Sequence, residues 1–470
     1  MSLNRRRFLQ SAAAVAAVPG LPSPDALAAT APFELIAGVF KQQVRETGAA
    51  SGVWGYNLQV PGPVLRFKQG EEATFLLRNR LPQATTIHWH GIRVPNEMDG
   101  VPNVTQVAIA PDTDFTYKYR LPDSGTYWYH PHQSSFEQVP RGLYGALIVE
   151  EARPVPVDRE VLWVLSDFKL GPENQQVEDF GRVTDFGSGG RLGNVIAING
   201  KAAGAQQRLE LRPNERVRLR LINASSARIL ALDFTGHQPW VLSLDGQGVP
   251  PRPLKGQLIL GGGQRTDLIL DGSAGSGQFE VWDRRDKGAR IATIAYAGSP
   301  VRAKVLGAPP AIPPNRLTTP NLQRASRHYL AFEGGVLGMP AIGMVDGKPQ
   351  DVKSIMEQHG LSWTMNYTAQ HEHALMHEPL FRFRKGEHVV IRMINRTDFE
   401  HPMHMHGHFF QVVAINNKPV KERVWRDTVV MAPRQDMDIA LVADNVGEWM
   451  FHCHILDHAA GGMMGTVLVE

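Results

Sequence analysis

Apolar and polar residues alternate in short runs along this chain. In the run Arg216, Val217, Arg218, Leu219, Arg220, Leu221, every second position is apolar. Successive strand residues point to opposite faces, so this spacing predicts a half-buried strand. The run belongs to a pattern that occurs three times: a turn, a glutamate, alternating strand residues, then an asparagine. It reads GEEATFLLRN from Gly70 to Asn79, NERVRLRLIN from Asn214 to Asn223, and GEHVVIRMIN from Gly386 to Asn395. Glu and Asn keep one spacing in all three copies (Glu71 and Asn79, Glu215 and Asn223, Glu387 and Asn395). A unit repeated three times predicts three similar β domains, at about 30–152, 155–305 and 325–470. Pro-rich stretches mark the joints, at Arg153 to Pro156 and at Pro309 to Pro314. Each block has the length of a Greek-key β-sandwich, so the predicted fold is all-β.

Composition adds limits. Of 470 residues, 43% are hydrophobic and 20% charged, ordinary for a globular chain. The net charge of +3 is too small to argue for nucleic-acid or membrane binding. The one cysteine, Cys453, excludes an intramolecular disulfide. The N-terminus reads as an export signal over residues 1–28. Arg5 and Arg6 form a twin arginine ahead of Phe8 and Leu9, Ser11 to Val18 is a short apolar run, and Ala26-Leu27-Ala28 fits a cleavage site. That run is too short to span a bilayer, and no later segment qualifies. A periplasmic or secreted protein, exported by the twin-arginine pathway, is expected.

The repeat also aligns chemistry. Nine residues after the repeat Asn, the first and third blocks begin a His-x-His: His88-Trp89-His90 and His404-Met405-His406. A second pair starts five residues after a glycine: His130-Pro131-His132 from Gly125, and His452-Cys453-His454 from Gly447. The matching positions of the second block are Leu232 and Phe234, then Trp282 and Arg284. On a strand, residues two apart share a face, so each pair aims two imidazoles one way. Eight nitrogen donors without a carboxylate suit copper better than magnesium, calcium or manganese, and zinc needs only four ligands. Cys453, His458 and Met463, with His401, add the two-His, one-Cys, weak-Met set of an electron-transfer copper site. Cys453 lies between His452 and His454 and points to the opposite face. It can hold one copper while its neighbours hold others, and covalent bonds link the two sites.

These stretches, HWHG (88–91), YHPH (129–132), HPMHMHGH (401–408) and HCHILDHAAGGMM (452–464), resemble the multicopper oxidase family of laccases and bacterial cuprous oxidases. The resemblance implies three cupredoxin-like domains and four copper ions. His88 and His404 would hold the type-2 copper. His90, His130, His132, His406, His452 and His454 would hold the type-3 pair. His401, Cys453, His458 and axial Met463 would hold the type-1 copper, with Met464 as the alternative axial residue. The implied reaction couples one-electron oxidation of a donor to reduction of O2 to water. Asp99 resembles the family's acid near the type-2 copper and would relay protons; its other reading is a turn residue before Gly100. Many bacterial members carry an acid just after the histidine equivalent to His458, but this chain has Ala459, leaving Asp457 or another route.

The donor is open between a phenol or aromatic amine and Cu(I). Met339, Met344, Met356, Met365, Met376, His371, His373 and His377 cluster in 339–377, either a Cu(I) docking region or ordinary core. Asp398 and Glu400 precede His401 and are either a cation-binding pair or solvated loop charges. His237, His328, His359, His388 and His408 have no partner motif; His408 is placed to orient His406 from behind. A second functional reading is a copper-binding tolerance protein with incidental turnover. A monomer is expected.

Overall fold

A computed structural model describes residues 32–336, 342–345, 348–369 and 379–470. Nearly all their ordered elements are strands, arranged as three β-sandwiches. The stretch expected to be an export signal, residues 1–28, lies outside the described residues, as do Met339, Met376, His371, His373 and His377.

The first sandwich sets a sheet of Ser51–Tyr56, Phe33–Gln42, Glu72–Arg80 and Asp114–Arg120 beside one of Gly62–Lys68, Gly145–Glu150, Gly125–His130 and His88–His90. The second builds its larger sheet around Arg159–Phe168, Arg216–Asn223 and Arg265–Asp271. The third builds its larger sheet around Ser326–Gly334, Glu387–Asn395 and Asp436–Ala443; its smaller sheet holds His401–Met405, Gly447–Cys453 and Met464–Val469. In every sandwich the repeat strand pairs in parallel with the opening strand and antiparallel with a later one.

The repeated Glu and Asn have the same work three times. Each glutamate accepts the backbone N–H three residues before it, from Lys68, Arg212 and Arg384 at 2.7, 2.9 and 2.9 Å. Each asparagine Oδ1 accepts the N–H two residues on, from Leu81, Ser225 and Thr397. Its Nδ2 donates to two loop carbonyls, Gln83 and Ile109, Arg228 and Leu260, or Phe399 and Ala432. Chain leaving a sheet exposes backbone groups that need partners once buried. The asparagine supplies them, and so fixes the loop that delivers His88 or His404.

The half-buried strand expected at 216–221 is buried on both faces. Its arginine face meets acids from the first sandwich and from within the second. Arg218 bonds Glu151 at 2.7 Å and Asp267 at 2.6 Å; Arg220 bonds Glu160 at 2.5 Å and Thr126 Oγ1 at 2.8 Å. Alternation reports two chemically different faces. It does not report which face meets water.

One apolar cluster runs through the first and third sandwiches, with Trp89, Phe75, Trp449 and Phe451 fully buried. Burying each such side chain contributes about 1.5–3 kcal/mol. This shared core holds the histidine strands of the two sandwiches against each other.

Candidate metal centre

Two short ladders present the histidines. His88 lies opposite His130 in the first sandwich, and His404 lies opposite His452 in the third. The two ladders interleave. The His88 ring stacks on His406 at 3.7 Å between centroids, and His90 stacks on His404 at 3.8 Å. His132 and His452 lie 5.0 Å apart, and His130 and His454 lie 5.4 Å apart. All eight rings are buried.

Buried nitrogens without partners are costly, yet this centre is lined with them. His88, His130 and His404 each tie Nδ1 to a backbone carbonyl, of Asp99, Pro131 and Asp427, and leave Nε2 without a partner. His90 leaves Nδ1 free, and His454 leaves both nitrogens free. His452 ties Nδ1 to the Cys453 carbonyl. Its Nε2 lies 3.1 Å from His406 Nε2 and 3.4 Å from His132 Nε2. Donor atoms fall within 4.8 Å of one another in each of two trios, His132 with His406 and His452, and His88 with His404 and His406. Burial and the neighbouring rings hold His90, His130, His132, His406 and His454 well below the ordinary imidazole value. Burial lowers His452 to about 3. These rings are neutral at neutral pH, the form that binds metal. The donor set fits a buried group of soft to borderline cations.

On the far face of the His452–His454 strand, Cys453 Sγ lies 3.6 Å from His401 Nδ1 and 3.7 Å from His458 Nδ1, with the two nitrogens 3.1 Å apart. The opposite ring nitrogens are engaged: His458 Nε2 donates to the Ser188 carbonyl at 2.6 Å, and His401 Nε2 meets Thr397 Oγ1 at 2.8 Å. Both rings therefore turn Nδ1 toward sulfur. A short helix, Leu456–Ala460, folds the chain back so that the Met463 carbonyl accepts Cys453 N–H at 3.1 Å. Met463 is fully buried in the same apolar cluster as Cys453. Met464 pairs with His452 and packs instead with Val101, Met450 and Ala459. Burial pushes the Cys453 thiol up, so a bound cation is needed to keep it as thiolate.

Descriptions of multicopper oxidases match three successive parts of the chain, residues 39–154, 160–299 and 345–470. A multicopper oxidase structure from Pseudomonas thermotolerans is 30% identical, with a TM-score of 0.82, over 93% of this chain and 99% of that one. The chain belongs to the multicopper oxidase family. Multicopper oxidase MmcO of Mycobacterium tuberculosis is 29% identical over 87% of this chain and 81% of that protein. A copper resistance protein A homolog of Pseudomonas syringae pv. tomato is 25% identical over 97% and 95%. As a multicopper oxidase, the protein is a copper-dependent oxidoreductase.

Two buried acids brace the histidines of this multicopper oxidase. Asp99 accepts from His406 Nδ1 at 2.8 Å and lies 3.2 Å from His88 Nδ1, so one carboxylate touches rings from both sandwiches. The second, Asp427, was missed by motif reasoning. It lies 3.5 Å from His404 and 3.4 Å from His90, and Arg265 grips it with two bonds of 2.8 and 2.6 Å. Burial favours the neutral acid, but the Arg265 guanidinium wins and holds Asp427 below the usual carboxylate range. The surroundings of Asp427 in the sequence, VWRDTVVM, carry no signal of that role. Arg265 comes from the second sandwich. So does Gly263, where a Cβ would stand 2.8 Å from both His454 and His90.

Other candidate residues are placed as follows. Asp457 is buried beside the Gly190–Arg191 backbone, accepting Arg191 N–H at 2.9 Å, and burial pushes it up to about 7. Asp398 is paired with Arg434, and Glu400 with Arg285, each by two bonds. Neither carboxylate is left as a bare cation site. His408 contacts the His406 carbonyl at 3.3 Å, not its ring. His237, His328 and His388 bond Tyr296, Ser326 and the Asn321 N–H. Met365 is fully buried core; Met344 and Met356 are half-buried. Among the described residues, no helix is long and apolar enough to cross a membrane.

Proposed function

We propose that this multicopper oxidase takes single electrons from a phenolic or aromatic-amine donor and passes four of them to O2, making two waters. In this reading His401, Cys453, His458 and Met463 hold the type-1 copper. His88 and His404 hold the type-2 copper. His90, His130 and His454 face one type-3 copper, and His132, His406 and His452 face the other. Copper, when bound, supplies the one-electron steps between donor and dioxygen. The observation that carries the reading is the set of inward ring nitrogens without protein partners, backed by a buried Cys453 on the same strand.

The protein's own part is positioning and protonation. Carbonyls of Asp99, Asp427, Pro131 and Cys453 set the tautomers, so the open nitrogen of each ring faces inward. The shared core excludes water and lowers the local dielectric. Asp99, in contact with His406 and His88, is the buried carboxylate best placed to hold and pass a proton as dioxygen is reduced.

Export to the periplasm through the twin arginine, and a monomeric state, complete the proposal. A second reading, copper tolerance through Cu(I) oxidation, draws on the Met/His run at 339–377 and on relatives named copper resistance protein A. The test is copper reconstitution, metal counting, and O2 uptake with a methoxyphenol and with Cu(I) side by side. Four coppers, a blue colour and faster phenol oxidation are expected. A colourless protein that consumes no O2 overturns the oxidase. A strong preference for Cu(I) moves the conclusion to the second reading.

A further inference from the structure

We propose that the second sandwich carries a binding trough for the outer rings of an oligomeric phenol whose reducing ring sits beside His458. The proposal rests on the reading of His458 as a ligand of the donor-side copper.

A cavity of about 300 Å³ lies beside His458, walled by Leu192, Ile229, Phe399 and Ile455. His458 is among the residues lining that cavity and is itself fully buried. The walls Arg228, Arg285 and Asp286 are shared with a second cavity of about 860 Å³, lined mostly by the second sandwich with Arg45 and Glu46 of the first. Ligand pockets run from about 300 to 1,000 Å³. The inner cavity therefore suits one substituted ring, and the outer one suits several more.

The walls select aromatic rings. Four guanidiniums, of Arg45, Arg228, Arg285 and Arg290, line the joined space, and the last three are each bonded by a carboxylate. Arg228 bonds Asp167 at 3.0 Å, Arg285 bonds Glu400 at 2.8 and 3.0 Å, and Arg290 bonds Glu280 at 2.8 Å. A pinned planar guanidinium has little freedom left to lose and stacks on aromatic faces. Val195, Ile196, Ala203 and Ile291 add apolar surface between them. The charges of Arg228, Arg285 and Arg290 are already compensated, and Glu46, Asp283 and Asp286 line the same wall as Arg45 and Lys287, which favours neutral rings over free anions. Among the described residues, the walls of both cavities hold no Met or Cys and a single His, His458. Soft Cu(I) finds no docking ligands along this route.

The test compares a monomeric methoxyphenol, its biaryl dimer, and the fully O-methylated dimer, which has no phenolic hydrogen to give up. The copper-loaded enzyme is expected to show a KM about tenfold lower for the dimer than for the monomer, the stacking of one added ring. Arg290→Lys, which keeps charge but loses the planar face, is expected to shrink that ratio about fivefold. Ala203→Trp, which fills the trough, is expected to do the same. In both variants the Kd of the methylated dimer, by calorimetry, rises to match. Thermal melting checks folding, and Arg290→Lys carries the test if the tryptophan variant fails to fold. Equal KM values for monomer and dimer overturn the trough, as does a ratio unchanged in folded variants. Variant-sensitive binding of the methylated dimer by a protein that oxidises no phenol keeps the trough and refutes the oxidase reading. Phenol oxidation with no gain for the dimer does the reverse.

Discussion

Arg265→Met separates the bracing of the histidine cluster from the cysteine site. Arg265 is fully buried and makes two bonds to Asp427, one to the Thr126 carbonyl at 3.1 Å and one to the Gly263 carbonyl at 3.2 Å. Methionine fills similar space without charge. Asp427 is then a buried carboxylate with no cation bonded to it, and removing one partner of such a pair costs about 3–5 kcal/mol. Against a typical total of about 5–15 kcal/mol, the variant folds but with a large loss. Burial, now unopposed, raises Asp427 toward its neutral form, and its grip on His404 and His90 changes from acceptor to donor. Loss of such outer support typically weakens metal binding about 10- to 100-fold. Cys453, His401 and His458 make no contact with Arg265 among the bonds found. The denaturant midpoint of the copper-free variant, copper release to a chelator, and the blue band provide the assay. The midpoint should fall, cluster copper should leave first, and the blue band should persist. An unchanged midpoint, or simultaneous loss of both kinds of copper, refutes the reasoning.

Cys453→Ser removes the thiol of the donor-side site; metal counting should find about one copper fewer per chain, no blue colour and O2 uptake at background. Any retained blue band would place that copper elsewhere. Asp99→Asn keeps the shape but removes the charge between His406 and His88; turnover should drop about 10- to 100-fold, most at high pH where protons are scarce. A pH-independent loss would leave Asp99 with positioning alone. Burial lowers His452 to about 3 and His458 to about 4, against 6.5 in the unfolded chain. The unfolded state then binds protons first, so copper-free stability should fall from about pH 6.5 down to about pH 4, by about 1.4 kcal/mol per pH unit for each histidine. A flat denaturation midpoint across that range contradicts the burial of neutral rings.

Much of the candidate site was legible because its histidines and cysteine are close in sequence. His-x-His and the run from His452 to Met463 are short motifs, and strand periodicity alone turns their side chains to opposite faces. The repeat Glu and Asn were legible as a pattern, although their purpose, tying backbone at each strand's ends, needed the hydrogen bonds. Asp427 was not legible. Nothing in VWRDTVVM says that its acid faces two histidines far away in sequence, one of them from another sandwich. The burial of Arg218 and Arg220 was misread for a related reason. An alternating strand has the same sequence whether its polar face meets water or a neighbour's carboxylates.

The second sandwich shows why a domain without ligands keeps the repeat. Its histidine positions are Leu232, Phe234, Trp282 and Arg284, and Leu232 is core. Yet the loop from Gly261 to Arg265 packs against His454 and His90, lends Asp427 its cation, and bonds the Thr428 carbonyl through Gln264 at 3.0 Å. Of its strand arginines, Arg218 binds Glu151 and Arg220 binds Thr126 of the first sandwich, and Arg285 binds Glu400 of the third. Buried ion pairs gain little over apolar packing in stability alone. Where they join separate sandwiches, they fix register between surfaces that apolar contact would let slide. That predicts an ordering: neutralising Arg285 should loosen the region around His458, while neutralising Arg265 should loosen the cluster. Hydrogen exchange on the copper-free protein resolves the two, and identical exchange patterns would reduce both pairs to general glue.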